Sequence, residues 1–133
     1  MSPTAPKPAA SPITIHLTAS MGRGVFAARA IAAREDLGIF HTIWLPPREV
    51  LLMKGSTLAN FWFEDDEDGS ALVVLGFIEL INHSTHPNAD RRWRTTPEGE
   101  VATLYALRDI EAGEQLFIDY KFDAGASNPA WAS

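Results

Sequence analysis

One short loop carries the densest group of side chains that can bind or orient a ligand. Residues 82–88, Asn-His-Ser-Thr-His-Pro-Asn, follow an apolar run from Leu72 to Leu80. Pro87 excludes a helix here, and asparagine, histidine and serine side chains hydrogen-bond to nearby backbone. A polar loop directly after a buried strand often carries a binding site. Taken alone, this loop is better explained as a well-capped strand end.

The two histidines of the loop raise the question of a metal site. His83 and His86 lie three residues apart, and Asp90 is near. A bound metal ion needs three or four ligands in a fixed geometry. Two histidines in a loop, with Pro87 between them and Asp90, do not meet that requirement, so we predict no metal.

Two other segments carry residues suited to ligand binding. In Gly22-Arg23-Gly24, two glycines bracket one residue, which allows backbone amides to approach a ligand closely. For an isolated Gly-x-Gly, a tight turn is the better explanation. Residues 113–120 end an apolar strand at Tyr120, so the ring is predicted to be buried and the hydroxyl to need a partner. Without further context, Tyr120 is best explained as a core tyrosine.

Taken together and in this order, the three segments resemble the motifs of SET-domain protein-lysine methyltransferases. The resemblance runs from about Met21 to Phe122, nearly the whole chain. It implies a mostly β, β-clip-like SET-domain fold with several small sheets and little helix. It also implies that the C-terminal segment is threaded beneath the loop of residues 82–88, which would bring Tyr120 beside Asn82.

The same resemblance implies the reactants and the residues that hold them. S-adenosyl-L-methionine would be the methyl donor, and a lysine side chain of a protein or peptide would be the acceptor. Tyr120 would be the catalytic residue. The donor would be contacted by Gly22, Arg23, Gly24, Asn82, His83, Tyr120, Phe122 and Trp131.

The channel for the substrate lysine would include Phe40, His41 and Arg91. Phe40 and Arg91 stand where family members often carry tyrosines, so two hydroxyls are missing and the number of methyl groups added is left undefined. His41 can supply a polar group, although a structural histidine is the simpler interpretation.

Transfer of a methyl group to lysine sets clear physical requirements. The reaction is an in-line displacement at a sulfonium methyl, so the amine must be neutral, close and aligned. The protein has to orient two reactants, exclude water and favour the neutral amine, whose pKa falls on desolvation and beside the positive sulfonium.

The elements that must position these residues are predicted mainly as strands. Alternation or apolar runs predict strands at 13–17, 37–45, 72–80 and 101–110, a strand beginning at Phe61, and a last strand at 115–120. The strand at 37–45 is predicted to be buried. Pro47 is predicted to begin a short helix that Gly55 ends. The five acids and one glycine at 64–69 predict an exposed hairpin turn; attraction of a basic substrate is the alternative.

One pattern recurs along the chain. The alternating Ala, Arg, Ile, Ala, Glu and Leu between Phe26 and Leu37 return in the same order between Tyr105 and Leu116. Each copy has the period of two that is typical of strands, interrupted by a tight turn. We therefore predict two similar strand–turn–strand units within one β domain.

Composition narrows the classes of partner. The chain has 133 residues, enough for one domain, and a net charge of −6. That charge argues against nucleic-acid binding; it suits a basic protein partner, and equally mere solubility. With no cysteine, the chain has no disulfide and cannot build the cysteine-rich zinc segment that many SET enzymes carry.

The remaining expectations concern organisation and location. Residues 1–12 are predicted to be a disordered tail, 13–122 the SET domain, and 123–133 a tail that can close over the site with Phe122 and Trp131 as lids. Alternatively a second subunit supplies the missing wall, since short SET proteins are known as homodimers. No membrane span or signal peptide is evident, so we expect a soluble intracellular protein, cytoplasmic, or nuclear in a eukaryotic or viral source.

Three functions fit these observations. The first is a SET-family protein-lysine methyltransferase. The second is a non-catalytic SET-like module that binds a peptide or the donor, and the third is a scaffold dimer without a ligand. Donor binding separates the first two from the third, and methyl transfer separates the first from the second.

Overall fold

Strands dominate the computed structural model, which describes residues 11–120. It confirms the predicted mostly β fold with a short helix at Pro47. The elements in chain order are β1 (Ile13–Leu17), β2 (Arg23–Ala27), β3 (Asp36–Leu45), α1 (Pro47–Met53), a first 3₁₀ helix (Thr57–Phe61), β4 (Phe63–Glu64), β5 (Ala71–Val74), a second 3₁₀ helix (Phe77–Leu80), β6 (Asn82–His83), β7 (Ala89–Thr96), β8 (Gly99–Ala106) and β9 (Phe117–Ile118).

These strands form three separate sheets. β1 and β2 make an antiparallel hairpin, and β4, β5, β3, β8 and β7 make a five-stranded antiparallel sheet in that spatial order. The third sheet consists of β6 and β9, paired in parallel. A parallel pair requires a long connection between its strands, and here that connection contains β7 and β8.

The hydrophobic core lies where the three sheets meet. Along β8, Ala102, Leu104 and Ala106 alternate toward it and are completely buried, as is Val25 of β2. A fully buried valine, leucine or isoleucine side chain stabilises the fold by about 1.5–3 kcal/mol relative to an exposed one. The largest buried aliphatic side chains of the core include Ile31, Ile78, Ile81, Ile110, Leu116 and Ile118.

The two repeated segments form two similar units, as predicted, and an approximate two-fold axis relates them. Ile31 and Ile110 exchange both backbone hydrogen bonds at 2.8 Å. On either side, Ala27 donates to Glu114 at 2.8 Å and Ala106 donates to Glu35 at 3.0 Å. Each unit therefore satisfies backbone groups of the other, which is why the repeat occurs as a pair.

The turn inside each unit is closed by the same ion pair. Arg29 lies 2.6 Å from Glu35, and Arg108 lies 3.1 Å from Glu114. Each glutamate also accepts a hydrogen bond from a backbone amide at the start of its turn. The repeated Arg and Glu thus have a structural role in shaping the turns.

The predicted strand at 72–80 is wrong in its second half. β5 ends at Val74, and Gly76 turns the chain with φ 128° into the second 3₁₀ helix. A Cβ at Gly76 would lie 2.5 Å from Cδ1 of Phe40, so only glycine fits. A continuous apolar run does not distinguish a buried strand from a short buried helix.

Other predicted strands are shorter or more exposed than expected. Residue 61 ends a 3₁₀ helix, so the strand predicted there begins at Phe63. β8 ends at Ala106 rather than at residue 110, and the last strand contains only Phe117–Ile118. In β3, Leu37 and Phe40 are buried, but the outward side chains of Ile39 and Ile43 are half exposed, as is Trp44.

The acidic segment forms the predicted hairpin turn between β4 and β5. Asp65 differs from its neighbours because it is buried, and its carboxylate accepts a hydrogen bond from the Glu67 amide at 2.8 Å. The Asp68 carboxylate accepts one from the Ser70 amide at the same distance. Two of the five acids therefore shape the turn.

Across residues 11–120, no helix combines the length and apolar character needed to cross a membrane.

Candidate active site

The site is assembled where β9 passes beside β6. Asn82 pairs with Phe117 and His83 with Ile118. Asn88, only 2% exposed, fastens this pairing: its amide donates to the Gln115 carbonyl at 2.8 Å, and its side-chain oxygen accepts from the Phe117 amide at 2.8 Å. The C-terminal strand is thus held against the loop of residues 82–88.

Asn82 links all three motif segments. Its side-chain amide donates to the backbone carbonyl of Arg23 at 3.1 Å and to Oε1 of Gln115 at 2.9 Å. Residues far apart in the sequence therefore meet at one side chain. The amide protons of Asn82 are used to join the segments.

The two glycines of the Gly-Arg-Gly turn are needed for different reasons. Gly22 adopts φ 70°, which favours glycine, and a Cβ there would meet no atom within 4 Å. Gly24 lies in β2, and a Cβ would lie 2.7 Å from Oε1 of Gln115 and 2.8 Å from Cγ2 of Thr18. Gly22 therefore leaves open space beside the backbone, whereas Gly24 is required by internal packing.

The His83 ring is oriented by Tyr120, the second residue after β9. Its Nδ1 accepts a hydrogen bond from the Tyr120 backbone amide at 2.9 Å, and the two ring centroids lie 5.1 Å apart. A neutral imidazole that accepts at Nδ1 carries its proton on Nε2. In this arrangement, the proton of the neutral His83 ring is on Nε2, which makes that group a potential hydrogen-bond donor to a ligand.

Tyr120 ends the threaded segment, and its hydroxyl donates to the backbone carbonyl of Ile81. The residue is 45% exposed, so the prediction that its ring is buried is wrong. The strand ends before Tyr120, and only the hydroxyl end reaches inward. Partial burial, and next the negative charge of Glu79, raise the pKa of the phenol, so the hydroxyl keeps its proton.

A cavity of about 90 Å³ opens beside this hydroxyl. That volume accommodates several water molecules or one narrow side chain. Polar and apolar surface contribute to its walls in similar measure, and the polar residues of the lining are Asn60, Glu79 and Tyr120. The walls include Trp62, Phe63, Glu79, Ile81, Ile118 and Tyr120.

Behind this wall lies a fully buried arginine. The Arg91 side chain has no exposed surface, and its guanidinium donates to the Asp119 carbonyl at 3.1 Å. It also lies 3.7 Å from the Asp90 carboxylate and 5.3 Å from the centre of the Phe63 ring. Burial lowers the pKa of Arg91 to about 10, a value at which the group is still charged at neutral pH.

Glu79 was missed as a site residue by sequence reasoning. The signal was present, since Glu79 is the single charge in the apolar run before residues 82–88. Burial raises the pKa of its carboxyl to about 8, against the opposing attraction of Arg91.

The structure does not bring the other predicted channel residues to this cavity. Phe40 is 8% exposed and packs edge-on against Phe77, with ring centroids 5.0 Å apart. His41 points to solvent from β3, and its carbonyl accepts from the Leu75 amide. Of the three predicted channel residues, only Arg91 lies next to the Tyr120 segment. Phe122 and Trp131 lie outside the described residues.

Among residues 11–120, no three histidine, aspartate or glutamate side chains lie close enough together to hold a metal ion. The polar groups of the site are instead hydrogen-bond donors and acceptors suited to an organic ligand.

Comparison with known proteins gives a consistent family. The SET domain model matches residues 22–121. A Schizosaccharomyces pombe relative named histone-lysine N-methyltransferase, H3 lysine-37 specific, is 30% identical over 110 residues, 83% of this chain and 74% of its own length. A Saccharomyces cerevisiae relative, named as H3 lysine-4 specific, is also 30% identical, but the chain spans only 11% of its length.

Solved structures agree with this result. A Plasmodium falciparum structure, described as that of a candidate histone methyltransferase, is 25% identical with a TM-score of 0.71, over 86% of this chain and 97% of that one. The Chaetomium thermophilum polycomb repressive complex 2 bound to S-adenosylmethionine matches at 23% identity and a TM-score of 0.69, over 84% of this chain and 15% of that one. The second match supports the fold alone. With the family model covering most of the chain, this chain belongs to the SET-domain family of protein-lysine methyltransferases.

Proposed function

We propose that this chain transfers a methyl group from S-adenosyl-L-methionine to a lysine side chain of a protein substrate. The observation that carries the proposal is the junction of β6 and β9. There Asn82 joins the Gly-Arg-Gly turn to the last motif segment, and the Tyr120 hydroxyl reaches the edge of a narrow cavity.

The residues around Gly22 fit the methyl donor. The backbone at Gly22 is open on its outer side, and His83 presents an Nε2–H donor next to the same junction. We assign donor binding to Gly22, Arg23, Asn82 and His83, with Gly24 setting the path of β2. When bound, the donor supplies an activated methyl group on a sulfonium.

The lysine acceptor fits the cavity beside Tyr120. The aromatic and aliphatic part of its lining suits the methylene chain of a lysine, and the Tyr120 hydroxyl keeps its proton and can orient the reacting groups. A cavity this narrow admits little water beside a lysine, which favours the neutral amine. Orientation and exclusion of water are the contributions that this transfer requires.

We further propose a histone-like basic protein as substrate and, with it, a nuclear location. Support comes from the relatives named as acting on histone H3 and from the net charge of −6, which favours a basic partner. We also propose a homodimer, because α1 exposes Leu51 and Leu52 to 70% and 85%.

The test pairs donor binding with methyl transfer. Radiolabelled donor is incubated with the wild-type chain and a panel of synthetic histone peptides, and donor affinity is measured by calorimetry. Tyr120→Phe should cut single-turnover transfer by about tenfold to a thousandfold while donor affinity changes by only a few-fold, because the hydroxyl acts mostly in the transition state.

The matched control is Tyr105→Phe, which removes the same atom from the other tyrosine. Tyr105 lies on the five-stranded sheet with its hydroxyl 3.4 Å from Asp90. Transfer by this control should equal wild type. Equal turnover by Tyr120→Phe would remove Tyr120 from the mechanism, and donor binding without transfer by the wild type would favour the non-catalytic module.

A further inference from the structure

The second 3₁₀ helix places one carboxyl group between two cavities. Ile78 anchors this helix in the core with 1% exposure, and Gly76 sets its direction. Glu79 lines the cavity that contains the Tyr120 hydroxyl. It also lines an adjoining groove of about 250 Å³ whose walls include Arg23, Leu58, Phe61 and Leu80. Glu79 therefore lines both the cavity beside Tyr120 and the groove beside Arg23.

One oxygen of the Glu79 carboxyl lacks the hydrogen bond that usually accompanies burial. This oxygen, Oε1, is buried and has no hydrogen-bond partner within residues 11–120. A buried polar group without a partner is costly, so such groups call for a specific explanation. An ammonium group entering the cavity would supply the missing donor.

The charges around Glu79 favour a change of protonation near neutral pH. Burial raises the pKa of its carboxyl to about 8, and Arg91 opposes that shift. Tyr120 stays protonated, and the negative charges of Asp90 and Asp119 favour the charged form of Arg91. The upward shift brings the pKa of the Glu79 carboxyl closer to that of a lysine amine, which favours proton transfer between the two groups.

We propose that Glu79 binds the ammonium group of the substrate lysine and accepts its proton before methyl transfer. This inference rests on the proposed function and names a residue that the family motifs do not include. The first step converts the ammonium and the carboxylate into a neutral amine and a carboxylic acid. The amine nitrogen then forms a bond to the methyl carbon of the sulfonium donor, the carbon–sulfur bond breaks with its electron pair on sulfur, and a methylated ammonium and a thioether result.

The first measurement is binding, in the presence of S-adenosylhomocysteine so that no transfer occurs. The probes are the panel peptide that the wild-type chain methylates best and the same peptide with norleucine in place of the target lysine. Glu79→Gln should weaken binding of the lysine peptide by about tenfold to a hundredfold, because a hydrogen bond to a charged group is lost. Affinity for the norleucine peptide should stay within about twofold, since norleucine has no charge to lose.

The second measurement counts protons. At pH 7, Glu79 is protonated in the empty site, so binding of a lysine ammonium should release a proton to the buffer. Calorimetry in buffers of different ionisation enthalpy should show this release for the lysine peptide, and not for the norleucine peptide or for Glu79→Gln. Transfer by the wild type should rise through about pH 8, and this limb should move to higher pH in Glu79→Gln.

Two variants separate the proposed role from a structural one. Glu98→Gln removes one negative charge from the exposed β7–β8 turn and should behave as wild type in both measurements. Glu79→Asp keeps a carboxyl group and should restore part of the proton release. An equal loss of affinity for both peptides, or an unchanged pH profile of Glu79→Gln, would overturn the inference. If the wild type methylates no peptide, the proposed function itself fails.

Discussion

At the scale of single residues, Glu79 has a second, independent effect on the folded chain. It is an acid that burial makes reluctant to ionise, and Arg91 offsets that penalty only in part. A buried pair of this kind stabilises a fold weakly, because the loss of hydration opposes the attraction between the charges. Glu79 therefore adds little to the stability of the fold, and its position beside Tyr120 is accounted for by the role proposed for it in the site.

The stability of the chain should depend on pH through Glu79. The folded state keeps this proton up to about pH 8, whereas the unfolded chain loses it near the ordinary pKa of 4.5. The folded state thus binds more protons within that window, and stability falls as pH rises across it. Relative to Glu79→Gln, the wild type should lose free energy of unfolding between about pH 5 and 8, by at most about 1.4 kcal/mol per pH unit. Urea unfolding of both proteins across this range measures the difference, and parallel curves would contradict the assignment.

The sequence identified some residues of the site and missed others for physical reasons. Asn82, His83 and Tyr120 belong to contiguous motifs, and they do meet. Phe40 was placed in the channel by its position in the family pattern, but Gly76 leaves a space that its ring fills in the core. The raised pKa of the Glu79 carboxyl depends on burial. A single charge in an apolar run of the sequence does not reveal that burial.

At the scale of elements, the two related units differ at one informative position. Arg34 and Gly113 occupy equivalent turn positions, with φ 69° and φ 90°. Their amides donate to equivalent carbonyls, those of Ala106 and Ala27. Arg34 is the one non-glycine residue with positive φ among those described. Such a conformation costs an ordinary residue about 1–2 kcal/mol.

Exchanging these residue types should shift stability in opposite directions. Arg34→Gly should stabilise the chain by up to about 1 kcal/mol, because relief of strain exceeds the extra entropy of an unfolded glycine. Gly113→Ala should destabilise it by about 1–2 kcal/mol, and a Cβ there meets no atom within 4 Å, so backbone conformation alone is tested. Urea unfolding measures both, and equal stability of Gly113→Ala and wild type would refute this account.

Elements were predictable where the pattern was local. A proline predicts the helix at Pro47, and Asp-Gly predicts the acidic hairpin. The alternation of residue types predicts the two repeated units. The second 3₁₀ helix was not predictable, because its break depends on a contact between Gly76 and Phe40, which lies on another strand.

At the scale of the whole molecule, the described surface exposes apolar side chains at several places, two of which contain neighbouring residues. Leu51 and Leu52 are exposed on α1, and Ile39 and Ile43 on β3. Scattered exposed aliphatic residues are normal, but neighbouring ones on one short helix are typical of a contact surface. These residues support the proposed homodimer.

The proposed dimer makes a direct prediction about mass. Light scattering should give twice the 14.6 kDa of one chain at micromolar concentration. Leu52→Glu should shift the population toward the monomer, because it places a charge in the contact. Thr95→Glu, which places a glutamate at an exposed position of the β7–β8 hairpin, should leave the population unchanged. A monomer at all concentrations would exclude the dimer.

The pairing of β6 with β9 could not be derived from periodicity. Two-residue strands leave no pattern, and partners this distant are joined by a long connection. The expectation that the C-terminal segment passes beside the loop of residues 82–88 came from the family resemblance alone.

That pairing also separates the lifetime of the site from the lifetime of the fold. β6 and β9 contribute two residues each, whereas the five-stranded sheet carries most of the ladder hydrogen bonds. Segments paired by few ladder hydrogen bonds open at a smaller free energy than a long-paired sheet, and the burial of Leu116 and Ile118 in the core reduces this difference for β9. Mild heat or denaturant will therefore detach β9 while the sheet persists, and inactivation will precede unfolding. A melting curve that follows the strand signal of the five-stranded sheet will overstate the temperature up to which the protein remains a working catalyst.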